Sequence, residues 1–197
     1  MKGEMKMIVE KVSNDKYELR ILVDEHPENP RDWDNLGKMI CFHRRYSIGD
    51  SHNYNSDDYS GWSEMEAAIT RKEDAAVILP VYMYDHSGIS LKTTPFSCPW
   101  DSGQVGFIAA SREDIRNCFG IKNVTKKYRD KAEEILKSEV ERMNNYAAGN
   151  VYGFQLIEQD SKEIIEEGYG FYGDLMDVSE ELKLYIEEEY KDLINKL

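Results

Sequence analysis

The sequence predicts an α+β fold: a mainly antiparallel sheet built from hairpins, one long central helix and an acidic C-terminal helix. Three observations carry this. Short runs of period-two alternation flank turn residues, as in residues 5–12 and 17–23 around Ser13-Asn14-Asp15-Lys16. Two longer stretches place apolar residues at helical spacing. Strands and helices are interspersed without regular βαβ units, which disfavours a parallel sheet. At 197 residues the chain is expected to form one domain, residues 1–197, with a core large enough to fold without staples.

Taken in order, the first hairpin is followed by a polar loop containing Pro27 and Pro30, and residues 38–43 (KMICFH) read as a strand. Residues 44–61 are polar and long for a connection, a property of functional loops. Ser63 and Glu66 match a capping box that opens a helix to about Arg71. Residues 75–84 form a buried-strand run, Asp85-His86-Ser87-Gly88 a turn, and Ile89–Lys92 the returning arm. Residues 105–110 read as another strand, and Ser111 caps a short helix ending at Gly120.

The strongest helical pattern spans residues 124–146, with Tyr128, Ala132, Ile135, Leu136, Val140 and Met143 on one face and Gly149 as the stop. Residues 151–157 and 164–171 form a second hairpin, whose glycines beside aromatics mark close sheet packing. A final helix opens at Asp177, with Leu182, Tyr185, Ile186, Leu193 and Leu197 as its apolar stripe.

Composition narrows the function. Apolar residues make up 41% and charged residues 32%, which suits an ordered globular chain. No apolar run approaches the ~20 residues that span a bilayer, and the first residues lack the apolar block of a signal peptide. A cytoplasmic location is expected, with no membrane partner. Cys41, Cys98 and Cys118 are odd in number and lack C-x-x-C spacing, so they are expected as buried, reduced thiols.

The formal charge is −13, and residues 155–197 hold 13 acidic against 4 basic side chains. Such a field repels phosphates and disfavours direct nucleic-acid binding. It suits either a solvated face or a surface, including Glu187, Glu188 and Glu189, that meets a basic protein.

Residues 82–107 (YMYDHSGISLKTTPFSCPWDSGQVGF) concentrate reactive and turn-forming side chains between two apolar runs. Cys98 as a nucleophile would need a base such as His86 or His43 and an orienting carboxylate such as Asp85 or Asp101. No protease signature surrounds it, and Pro99 has no backbone N–H to offer an oxyanion hole. Ser102 lacks the preceding glycine of a G-x-S-x-G elbow. The structural alternative has Asp101 and Ser102 making side-chain turns while Trp100 and Phe96 plug the loop onto the core.

His43, His52 and His86 with Asp50, Asp57 or Asp85 have metal-donor chemistry but no tight ligand spacing, and phosphate-cradling glycine motifs are absent, so no metal or cofactor is expected. Arg44-Arg45 after His43 could fork onto a phosphate or carboxylate, or pair internally.

Three stretches, CFHRRYSIGDSHNY (41–54), residues 82–107, and NVYGFQL followed by GYGFYGD (150–174), resemble a family of bacteriophage and mobile-element proteins, with similarity running from about residue 36 to 174. No activity comes with that family, so no catalytic residue carries over. The resemblance implies a small accessory protein acting in the host cell by direct binding, of which an anti-defence inhibitor of a host protein or nucleic-acid-handling complex is one form. The binding residues then expected are His43, Arg44, Arg45, His86, Trp100, Asp101, Ser102 and Glu187–Glu189. The alternative is an enzyme or small-ligand pocket around His43, His86, Cys98 and Asp101.

Overall fold

The computed structural model describes residues 7–197. In chain order its strands are β1 (Ile8–Ser13), β2 (Tyr17–Val23), β3 (Lys38–Cys41), β4 (Ala75–Asp85), β5 (Ile89–Lys92), β6 (Ser102–Ser111), β7 (Val151–Glu158) and β8 (Ile164–Tyr172). The helices are α1 (Trp62–Lys72), α2 (Arg112–Phe119), α3 (Lys126–Ala148), α4 (Leu175–Tyr185) and α5 (Lys191–Ile194). The fold is α+β, with two four-stranded sheets, every strand pair antiparallel. Backbone contacts divide the chain into two compact units: residues 29–148, and residues up to 28 together with 149–197.

In the 29–148 unit the strand order is β3-β6-β4-β5. Alternation along the strands sends side chains to opposite faces. Met39, Val81, Met83, Ile108 and Ala110 pack with Ala132, Leu136, Val140 and Met143 of α3. Ile40, Phe107 and Ala109 pack with Met65 and Ile69 of α1. Both faces of the sheet are therefore covered, which explains why β4 and β6 read as apolar runs and not as alternating strands. Ser111 caps α2 by accepting from the Asp114 N–H at 3.0 Å, and Gly120 closes it at φ +62°.

The other unit has order β1-β2-β7-β8. Asn14 Oδ1 accepts from the N–H groups of Lys16 and Tyr17 and so sets the first hairpin turn. Residues 5 and 6, assigned to that hairpin from the sequence, lie outside the described residues. Leu19, Ile21, Phe154 and Leu156 pack with Val178, Leu182, Ile186, Leu193 and Ile194.

Two helix expectations are corrected. Ser63 does not cap α1; the cap position is Gly61, with no side-chain bond. Glu64 instead accepts from the N–H and hydroxyl of Ser60, one residue further upstream, so the chain is tied before the helix begins. The C-terminal helix is not continuous from Asp177. It starts earlier, at an Asp174–Asp177 capping box, and breaks at Ile186, which is extended at ψ 140°. Glu188–Tyr190 then forms a 3₁₀ turn leading into α5. The break lets α4 lie against β8 while α5 reaches β1 and β2, which one straight helix over this sheet would not do. Tyr185, assigned to the apolar stripe, is 62% exposed, with its ring edge against Phe171.

Candidate functional site

The loop after β3 is held by a buried charge cluster. The Arg31 guanidinium donates from Nε to Asp50 Oδ1 (2.9 Å), from Nη2 to Asp50 Oδ2 (2.8 Å) and the Gly37 carbonyl, and from Nη1 to Glu139 Oε2 (3.0 Å). Asp50 also accepts from the Met39 N–H at 2.7 Å, and Glu139 accepts from the N–H groups of Leu36 and Gly37. The Arg31 and Glu139 side chains are 4% and 5% exposed. Burial pulls the Arg31 pKa down, but the hydrogen bonds and charges of Asp50 and Glu139 reverse this and leave it raised.

Arg31 and Glu139 carry no function in the sequence reading. The available signal was Glu139 itself, three residues after Leu136 and four before Met143, on the face of α3 that must meet the core. A carboxylate there requires a buried cation. Asp50, considered above as a metal donor, is committed to Arg31 and Met39. Gly49, at φ +86°, makes the turn that returns the chain to Met39, where a Cβ would press on the Met39 carbonyl.

The anchored loop encloses an open hollow of about 460 Å³, lined among others by His43, Arg44, Arg45, Ser47, Ser51 and His52. His43 Nδ1 accepts from the N–H groups of Arg45 (3.4 Å) and Tyr46 (3.3 Å), and the imidazole stacks on the Tyr46 ring at 5.1 Å. His52 lies against Phe42 and bonds through Nε2 to the Cys41 carbonyl at 3.0 Å. Cys41 is buried, and burial followed by the Asp50 charge pushes its thiol up to about 12, so it is inert at neutral pH.

Beyond His52, Glu73 accepts from the Tyr54 hydroxyl (2.7 Å) and pairs with Lys38 (3.1 Å). Burial pushes the Glu73 pKa up, yet the Tyr54 and Lys38 hydrogen bonds and the Lys38 and Lys72 charges outweigh it, leaving it lowered. Glu73 therefore adds stability that is fully present above the ordinary value of 4.5 and is lost as pH falls through the lower folded value. Glu73→Gln is expected to lose less stability than the parent between neutral pH and about pH 3, followed by urea midpoints at each pH. Parallel profiles would refute this.

The 82–107 stretch folds over the end of the β4–β5 hairpin. Asp85 N–H donates to the Asp101 carbonyl at 2.9 Å, Ser102 Oγ donates to the Cys98 carbonyl, and Phe96 lies 5.7 Å from the Tyr84 ring. Arg45 pairs with Asp85 and so ties this end to the hollow. His86 Nδ1 is 3.5 Å and Cys98 Sγ 3.7 Å from the same Asp101 oxygen, Oδ2. The carboxylate thus stands between imidazole and thiol, and no His–Cys dyad forms. His86 is 63% and Asp101 39% exposed, so water is not excluded. Activating a cysteine usually takes an imidazole in contact with the thiol; here the group in contact with Cys98 Sγ is the Asp101 carboxylate.

Comparison with known proteins gives no match. No family model, no curated protein and no solved structure matches the chain.

The structure therefore joins His86, Cys98 and Asp101 directly, Arg45 to them through Asp85, and Ser102 as the loop's pin. His43, Arg44 and Arg45 line the adjoining hollow. Glu187, Glu188 and Glu189 are exposed and belong to the other unit. Two expectations fail. Phe96 packs on Tyr84, but Trp100 does not plug the core and is 91% exposed; the loop is held by the Ser102 hydroxyl on the Cys98 carbonyl and by the Asp85 N–H on the Asp101 carbonyl. Of the three thiols only Cys41 is buried; Cys98 is half-buried at the loop and Cys118 is exposed on the short amphipathic α2. Among the described residues no helix is long and apolar enough to cross a membrane, and no group of three His, Cys, Asp or Glu is placed to hold a metal.

Proposed function

We propose that this chain is a non-catalytic binding protein that recognises a host protein through the loop end of its 29–148 unit, with Trp100 as the anchor. The observation that carries the reading is Trp100, which projects into water from a loop pinned on both sides of it. An indole is the side chain whose burial at an interface returns most energy, and a pinned support lowers the ordering cost of binding. The polar groups next to it, Asp101 and the His86 paired with that carboxylate, supply a polar rim.

A host target, and with it an anti-defence role, is what the sequence resemblance to bacteriophage proteins would imply. The acidic segment at Glu187–Glu189 suits a basic partner, including one that handles nucleic acid, and acts on association rate. The shared Asp101 contact and the exposure of the cluster weigh against the enzymatic alternative at Cys98, His86 and Asp101.

Affinity capture from host lysate, compared between the parent and Trp100→Ala, tests the reading. A partner held by the parent is expected to bind Trp100→Ala at least about 30-fold more weakly. Reversing Glu187, Glu188 and Glu189 to lysine is expected to slow association and reduce its salt dependence. Equal capture by parent and Trp100→Ala would overturn the anchor.

A further inference from the structure

We propose that the hollow within the 43–52 loop is an anion site that takes a phosphoryl dianion, as inorganic phosphate or as a small phosphate monoester. It is a cation-lined concavity in a chain of formal charge −13. Arg44 lines it and makes no ion pair or hydrogen bond among the described residues, unlike Arg45, whose Nη2 is engaged by Asp85. The remaining guanidinium N–H groups of Arg45 stay available.

His43 adds a third donor. Because its Nδ1 accepts from two backbone N–H groups, its ring proton sits on Nε2. The hydroxyls of Ser47 and Ser51 complete the polar lining. The carboxylate among these residues, Asp50, has both oxygens bound by Arg31, so its charge is offset from behind. Two forked guanidinium groups, an imidazole and two hydroxyls suit the three terminal oxygens of a phosphoryl group better than the two of a carboxylate.

The volume leaves room for more than the phosphoryl group, since small-ligand sites run from about 300 Å³ upwards. A second hollow of about 300 Å³, lined by Lys38, Lys72 and Tyr54, shares Ser51 and His52 with the first.

Calorimetric titration of the full chain with inorganic phosphate and, separately, with adenosine monophosphate tests the site. Saturable binding of at least one is expected, weakened at least about tenfold by Arg44→Ala and unchanged by Arg129→Ala, an exposed arginine on α3. Tighter binding of the nucleotide identifies an ester as the ligand; equal or tighter binding of inorganic phosphate identifies the free ion. No heat from either at about 10 mM, or equal weakening by both variants, overturns the site. Trp100→Ala is expected to leave these titrations unchanged, so this site and the protein-binding surface stand or fall separately.

Discussion

Arg31→Ala is expected to destabilise the 29–148 unit by about 3–5 kcal/mol, because it removes the cation that the Asp50 and Glu139 carboxylates share. The Arg31 side chain is 4% exposed and its fork serves Asp50, Glu139 and the Gly37 carbonyl together. Its loss strips both carboxylates of their counter-charge, and leaves Glu139, 5% exposed, without one in a place that water reaches poorly. Arg31→Lys is expected to recover little, since an ammonium cannot present the same planar fork to three acceptors. Urea unfolding followed by far-ultraviolet circular dichroism reads both variants; a loss below about 1 kcal/mol for Arg31→Ala would refute the account. The effect reaches function because the same cluster anchors the 43–52 loop. Even where the variant folds, the hollow is expected to lose its shape.

Gly106→Ala is the second large effect, expected to cost about 3 kcal/mol, the upper end for overpacking. Gly106 lies in the central strand β6, paired with Cys41 on one side and Val81 on the other. A Cβ there would fall on the Ile40 carbonyl oxygen and stand 2.7 Å from Cys41 Cα. Those atoms are backbone of the neighbouring strand, so relief requires moving β3 and not rotating a side chain. The control is Gly103→Ala in the same strand, where a Cβ meets nothing within 4 Å. Its midpoint is expected to stay within about 0.5 kcal/mol of the parent in energy. Equal effects at both positions would show that strand propensity, and not close approach, sets the cost. Because β3 and β6 carry the 43–52 and 96–102 loops, Gly106→Ala is also expected to weaken binding through Trp100.

Local signals in the sequence were sufficient for the α+β class, both outer hairpins, the Ser111 cap, the Gly120 stop and α3. Each depends on side chains a few residues apart: Asn14 closing its own turn, Ser111 reaching Asp114, or Ala132, Leu136, Val140 and Met143 sharing a face. The break at Ile186 was not legible, because residues 182–197 keep helical apolar spacing across it. Only the need to cover β8 with one segment and β1–β2 with the next divides them.

The site divides along the same physical line. The sequence by itself determined that residues 82–107 and the His43-Arg44-Arg45 run hold unusual chemistry, since residue type and spacing are visible without a fold. Tertiary structure alone decided their relations: that Asp101 separates His86 from Cys98, that Trp100 faces water, and that Arg45 reaches Asp85. It also decided that Arg31 joins Asp50 and Glu139 across 19 and 108 residues of chain. Pairing of charges at such separations depends on which surfaces the core brings together, and burial then makes those few contacts costly to lose.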